Sequence, residues 1–199
     1  MAVEDWLPSK VRAAAIEQKL KPNETLFQLG SKTAGMYEVV AGRVRLSRVD
    51  RSGHEITLHV AGPGETLAEA SLYSTQYHCD AIANTSAIVR LYPKRELLAA
   101  FEANPKAAQV FTEMLAHQVM KLRTRIEQRN IRSARERVRH FLALSIGPDR
   151  RTVRLHGTLK DLAAEIGLTH EALYRTLAAL ERSGEIRRKG EVIILSKRV

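Results

Sequence analysis

Glu171 and Arg175 stand four residues apart in Thr169-His170-Glu171-Ala172-Leu173-Tyr174-Arg175. An arginine can pair bidentately with guanine O6 and N7, and a glutamate can accept from cytosine N4. On a helix this spacing places both on one face, where each can orient the other. A helix capped by Thr169 and running to Arg182 turns Ala172, Leu173, Leu177 and Leu180 inward. It leaves Thr169, His170, Glu171, Tyr174 and Arg175 outside as candidate base-reading residues, with Ala178 beside them. The plain alternative for Glu171 and Arg175 is a surface ion pair.

The elements on either side decide between these readings. Thr158 to Gly167 reads as a helix: Thr158 can cap it, and Asp161 follows three residues on as in a capping box. Leu159, Leu162, Ala163 and Ile166 form its apolar face, and Gly167 supplies the left-handed backbone that ends it. Two helices joined by a short glycine-containing turn make a helix-turn-helix. Ser183-Gly184 breaks the second helix, and residues 185–195 read as a hairpin turning at Lys189-Gly190, which is a wing. On such a motif, Lys160, Arg182, Arg187, Arg188 and Lys189 are candidate phosphate contacts, which position without specifying. Solvated surface charge is the alternative for each. No nucleophile–base set or phosphate-binding glycine loop is present, so an enzyme is not expected.

Charge supports a polyanion partner for this half. The chain of 199 residues carries a net +10. Residues 1–104 hold 12 Lys+Arg and 12 Asp+Glu, whereas residues 105–199 hold 20 and 10, so the excess lies wholly in the second half. No apolar run approaches the ~20 residues that span a bilayer, and Met1-Ala2-Val3-Glu4-Asp5-Trp6 is acidic where a signal peptide is basic. A cytoplasmic protein without a membrane association is expected. The single cysteine, Cys79, excludes an internal disulfide framework.

Upstream, residues from about 24 to 93 read as short strands divided by glycine turns at Gly42, Ser52-Gly53 and Gly62-Pro63-Gly64. The expected strands include 36–41, 43–49, 55–60, 78–83 and 87–92, which argues for an antiparallel barrel or jelly roll. From Lys94 the period becomes helical. Between Pro105 and about Ile131 there is no further proline and no glycine. Within that run Leu115, Val119, Leu122 and Ile126 follow the 4-3-4 spacing of a coiled-coil seam, led in by Phe111 and Met114. A dimer seam is expected; a helix packed on its own domain is the alternative. Ala134 to Ser145 is a further helix, with Val138, Phe141 and Leu142 inward. The expected fold is α+β: an N-terminal antiparallel β-roll, a long dimerisation helix and a C-terminal winged helix-turn-helix. Its expected divisions are 1–104, 105–133 and 134–199.

Over nearly its whole length the chain resembles the CRP/FNR family of bacterial transcription regulators. The stretch from Leu162 to Arg175 is similar to that family's helix-turn-helix, whose Glu and Arg match Glu171 and Arg175. Leu180-Glu181, Gly184, Ile186 and Gly190 fall where its pattern places them, Gly42, Gly53 and Pro63-Gly64 match its β-roll sensor, and residues 105–131 match its dimerisation helix. Tyr174 replaces the small residue common before the Arg, and His170 stands where one branch has Arg. The resemblance implies a homodimer on a two-fold symmetric double-stranded DNA site with half-sites ~34 Å apart. It also implies a hinge around residues 132–135, and RNA polymerase as a partner where the protein activates.

In cyclic-nucleotide-binding members, Gly-Glu takes the ribose hydroxyl and, about ten residues on, Arg-Ser or Arg-Thr neutralises the cyclic phosphate. Here the aligned pocket is Ala68-Glu69-Ala70-Ser71, then His78-Cys79-Asp80. Glu69 is kept, but Cys79 and Asp80 stand in place of Arg and Ser. A carboxylate facing a phosphate without its cation repels it, so cyclic AMP or GMP is not expected. An iron–sulfur cluster needs N-terminal cysteines that are absent, and no metal site is expected. Thr66-Leu67-Ala68-Glu69-Ala70 resembles the nitrogen-oxide-responsive branch, and His78 or Cys79 could ligate haem, although neighbours on a strand point to opposite faces. A half-buried thiol of no special reactivity and a single-thiol redox sensor are the alternatives, and the effector stays open.

Overall fold

The structure, a computed structural model, describes residues 3–155 and 157–196. The chain forms two compact units, Met1–His117 and Gln118–Val199.

The first unit opens with helices α1 (Val3–Trp6) and α2 (Ser9–Ala13). Strands β1 (Ile16–Leu20), β2 (Thr25–Phe27), β3 (Gly35–Ala41), β4 (Val44–Val49), β5 (Glu55–Ala61), β6 (Thr66–Leu67), β7 (Asp80–Ala83) and β8 (Ala87–Pro93) follow. They pair antiparallel in two four-stranded sheets, β1-β8-β3-β6 and β2-β7-β4-β5. Side chains alternate along each strand, so Tyr37 and Val39 of β3 enter a core shared with Phe27, Val44, Leu67 and Val89. Met36 faces a second core. That core is closed by α3 (Lys94–Ala103) and the first turns of α4 (Pro105–Asn130), through Leu97, Phe101 and Phe111. Trp6 stacks on Phe101, with ring centroids 6.3 Å apart. Buried Glu38, two residues beyond Met36, accepts a 2.7 Å hydrogen bond from the Tyr92 hydroxyl and lies 3.6 Å from Arg90 Nη1. Burial, more than the bond to Glu38, pushes the Tyr92 phenol up to about 12.

The α4 helix starts where the sequence places it. Asn104 Oδ1 accepts from the backbone N–H groups of Lys106 (3.1 Å) and Ala107 (3.3 Å), and Pro105 occupies the first helical position. Two expectations shift. The strand expected from His78 begins at Asp80, leaving His78 and Cys79 in a bend, and β1 lies upstream of the expected strand region.

The second unit holds the end of α4, a non-helical step at 131–133, then α5 (Ala134–Leu144), β9 (Thr152–Arg154), α6 (Leu159–Glu165) and α7 (His170–Arg182). Strands β10 (Ile186–Lys189) and β11 (Val192–Leu195) complete a sheet of order β10-β11-β9. Val138, Leu142, Val153, Leu162, Ile166, Leu173 and Ile193 fill its core. The architecture is thus α+β: a two-sheet β-roll, a long helix, and a helix-turn-helix with a small sheet as its wing. Among the described residues, no helix is long and apolar enough to cross a membrane.

Gly42 and Gly53 both hold left-handed backbone, at φ +78° and +83°, but only Gly42 is crowded: a Cβ there would lie 2.1 Å from Ser86 O. In urea unfolding, Gly53→Ala is expected to lose about 1–2 kcal/mol for the left-handed conformation. Gly42→Ala is expected to lose a further ~1–3 kcal/mol for overpacking.

Candidate nucleic-acid interface

Four local devices aim α7. Thr158 and Asp161 form the expected capping box: Thr158 Oγ1 accepts from Asp161 N (3.2 Å) and Asp161 Oδ2 from Thr158 N (3.0 Å). At the other end of α6, Gly167 adopts φ +68°. This lets Leu168 N donate to Ala163 O (2.8 Å) and Gly167 N to Ala164 O (3.4 Å), a Schellman closure. Thr169 then caps α7, its Oγ1 accepting from Ala172 N at 3.1 Å. The same closure recurs after α7, where Gly184 has φ +72° and Glu185 N donates to Leu180 O at 3.0 Å. Between these ends Leu173, Leu177 and Leu180 are fully buried.

The outer face of α7 carries Thr169, His170, Glu171, Tyr174 and Arg175, all exposed. Among the described residues, neither Glu171 nor Arg175 has an ion-pair or hydrogen-bond partner, so the expected mutual orientation does not form and both side chains remain free. Tyr174 is half exposed, at 50%. Its ring lies 5.7 Å from the His170 ring, and the Arg188 guanidinium stands 5.5 Å from its centroid. Arg188 is held from behind by Glu181, which accepts from its backbone N (2.9 Å), Nε (3.0 Å) and Nη2 (3.0 Å). Those bonds, the backbone one foremost, hold the Glu181 carboxyl below its usual range. Arg188 is therefore braced against the helix. Lys160, Arg182, Arg187 and Lys189 are exposed and, among the described residues, without such partners.

Sequence reasoning missed the residues that organise the far side of this unit. Arg135 and Arg139 on α5 both reach Glu185, Arg139 Nη2 at 2.6 Å, and Arg139 also pairs with Glu136 at 2.7 Å. The Ser183 hydroxyl, then Arg139 and Arg135, lower the Glu185 carboxyl to about 2. Arg137 donates to carbonyls at the ends of two helices. The i,i+3 spacing of Glu136 and Arg139 could have marked that one pair. The contacts of Arg135 and Arg139 with Glu185 and of Arg137 with carbonyls leave no such signal, because those partners lie far off in sequence or are backbone oxygens.

Along α4, Val119, Leu122 and Ile126 are 48%, 53% and 61% exposed, and Met120 beside them is 63% exposed. Phe111 differs from the expected seam: it is buried in the core of the first unit, and Leu115 packs partly against that core. The exposed apolar stripe therefore begins beyond Leu115.

The expected effector residues do not share one environment. Glu69 and Ser71 are buried on a 3-10 turn, where Thr66 Oγ1 donates to Glu69. His78 is exposed, and its carbonyl accepts from Arg48 Nε at 2.7 Å. Asp80 Oδ1 accepts from Leu29 N at 2.8 Å. Cys79 packs against the sandwich core while His78 faces solvent, so the two do not converge on one iron. Among the described residues, no group of three or more His, Cys, Asp or Glu could hold a metal ion.

Two family descriptions match this chain: the cyclic nucleotide-binding domain over residues 17–104 and the Crp-like helix-turn-helix domain over residues 136–198. The chain is 30% identical over 156 residues to the transcriptional regulator SdrP of Thermus thermophilus, spanning 76% of this chain and 74% of that protein. It is 28% identical over 177 residues to the cyclic AMP receptor protein of the same organism, spanning 86% and 80%. The structure of FixK2 from Bradyrhizobium japonicum superposes with a TM-score of 0.74 at 23% identity, over 92% of this chain and 93% of that one, a likeness of fold.

Burial pushes the Cys79 thiol up, with the Arg48 charge opposing and Asp80 adding to the rise. The thiol is therefore protonated at neutral pH. Alkylation by iodoacetamide, followed by mass spectrometry, is expected to be much slower in the native protein at pH 7 than in the urea-unfolded chain. Rapid native modification at pH 7 would return Cys79 to candidacy as a thiol sensor.

Proposed function

The chain belongs to the CRP/FNR family of DNA-binding transcription regulators, and we propose that it works as a homodimer reading a two-fold symmetric DNA site through Glu171, Tyr174 and Arg175. The carrying observation is the outer face of α7: its inward leucines are fully buried, while Glu171 and Arg175 stand exposed and, among the described residues, without partners. Arg175 supplies the fork for guanine and Glu171 the acceptor for cytosine. Tyr174 offers a ring to a thymine methyl, with His170 and Thr169 at its flank. Lys160, Arg182, Arg187 and Lys189 meet phosphates and set the register; Arg188 acts chiefly by bracing Tyr174.

The dimer forms along α4, whose 26 residues extend for about 39 Å. Val119, Leu122 and Ile126 are the apolar residues that a second copy would cover. Residues 1–104 serve as the sensor, 105–133 as the dimerisation helix and 134–199 as the reader. The protein is a regulator and not an enzyme. It acts in the cytoplasm, with RNA polymerase as partner at promoters it activates.

The sensor half does not take cyclic AMP in the manner of a phosphate-neutralising pocket. Cys79 and Asp80 supply no cation, and the Asp80 carboxylate is engaged with Leu29 N. Calorimetric titration with cyclic AMP is expected to show no binding at millimolar ligand, and the purified protein no visible absorption. A saturable heat, or a haem band, would overturn this part of the reading.

DNA reading is tested by fluorescence anisotropy at one salt concentration, on a selected palindrome and on random duplex. Arg175→Ala is expected to weaken binding to the palindrome by about 1–3 kcal/mol and leave random duplex nearly unchanged. Arg187→Ala should weaken both alike and reduce the salt slope by about one. Equal loss on both duplexes for Arg175→Ala counts against the assignment.

A further inference from the structure

We infer that Arg137 is the positioning residue that sets the direction in which the DNA reader leaves the long helix, and so sets the half-site spacing that the dimer accepts. This rests on the homodimer reading above. Arg137 lies in the first turn of α5, and its guanidinium is divided between two helix ends. Toward α4, Nε donates to Ile131 O at 3.0 Å, and Nη2 donates to Ile131 O at 2.6 Å and Arg129 O at 3.3 Å. Toward α6, Nη1 donates to Gly167 O at 2.7 Å and Ile166 O at 3.3 Å.

Helix C-termini present unpartnered carbonyls and partial negative charge, so a cation is favoured at each. One planar fork serving both ends does more than satisfy them. It fixes where the Gly167 turn sits relative to the last turn of α4, because the donors of a guanidinium cannot move independently. The non-helical step at 131–133 is the joint that would otherwise swing. Any rotation of α5 to α7 about that step must break the bonds to Ile131 or those to Gly167.

Two further contacts sit at the same joint. A Cβ on Gly167 would lie 3.2 Å from Arg129 Cγ and 3.5 Å from Arg137 Nη1, so the turn is packed directly against both arginines. His140 Nε2 on α5 lies 3.5 Å from Glu127 Oε1 on α4. Arg137 bonds backbone oxygens of the joint and belongs to a different helix from the reading residues of α7. It acts on DNA only through the placement of that helix.

The test uses the full-length protein and duplexes built from two selected half-sites whose separation is optimal, or longer or shorter by one or two base pairs. Each base pair turns the far half-site by about a tenth of a helical turn, so wild type should show one sharp optimum. Arg137→Gln is expected to bind the optimal duplex roughly tenfold more weakly, within the usual range of coupling between sites, and off-spaced duplexes as wild type does. Its spacing profile is then flat, while its affinity for a single half-site is unchanged. Arg137→Lys keeps the charge but loses the fork; it should flatten the profile too, and it carries the test if Arg137→Gln fails to fold by circular dichroism. A uniform loss on every duplex, single half-site included, shows a merely structural role and overturns the inference, as does an unchanged optimum. A wild-type protein that binds all spacings equally overturns the homodimer reading, and the inference with it.

Discussion

The last carbonyls of an α-helix have no partners within it, and the arrangement of the second unit turns on how α6 resolves that problem around Gly167. The N–H groups of Gly167 and Leu168 fold back onto Ala164 and Ala163. The carbonyls of Ile166 and Gly167 themselves go to Arg137. With both sets satisfied in two residues, the chain can enter the next helix at Thr169 without a longer loop. The left-handed glycine and the Thr169 cap therefore settle the direction of α7 before any outer side chain contributes. Leu173, Leu177 and Leu180 follow into the core, and Glu171, Tyr174 and Arg175 are left on the far side as a geometric consequence.

Charge is distributed by the same logic. The excess of basic residues in the second half is not a uniform surface, because carboxylates withdraw some cations from it. Glu181 holds Arg188, and Glu185 holds Arg135 and Arg139. Exposed ion pairs contribute little stability, but they restrict where long side chains can reach. Arg188 stands 5.5 Å from the centroid of the Tyr174 ring, whereas Lys160, Arg182, Arg187 and Lys189 are exposed and, among the described residues, not drawn into such pairs. Paired cations shape the surface, and unpaired ones carry its long-range attraction for a polyanion.

What the sequence made legible was local. Thr158–Asp161, Gly167 and Thr169 act within three or four residues of themselves, so their roles can be read from spacing alone. The paired strands of the wing, turned at Gly190, follow for the same reason. The β1 strand could not be read, since Ile16-Glu17-Gln18-Lys19-Leu20 lacks the alternation of a half-buried strand and its partner β8 lies some seventy residues on. Phe111 shows a different limit. The 4-3-4 spacing drew a stripe along α4, but spacing describes a face and not what covers it, and Phe111 is covered by its own domain. Arg137 was invisible because its partners are backbone oxygens, which no residue pattern displays. The Glu171–Arg175 spacing permitted an ion pair that the side chains do not make.

The first unit depends on a strand with two roles. β3 is buried on both faces, sending Tyr37 and Val39 into the sandwich and Met36 toward the helices. Glu38 follows Met36 on the helix side, and a buried carboxylate there would cost several kcal/mol if left without partners. The Tyr92 hydroxyl and Arg90, both on the neighbouring strand β8, supply them. Nearby, Thr66 donates to Glu69 and lies 3.8 Å from Met114 Sδ on α4. Glu38 and Glu69 lie where the sheet meets the helices, and Ser47 is buried in the other sheet, on β4.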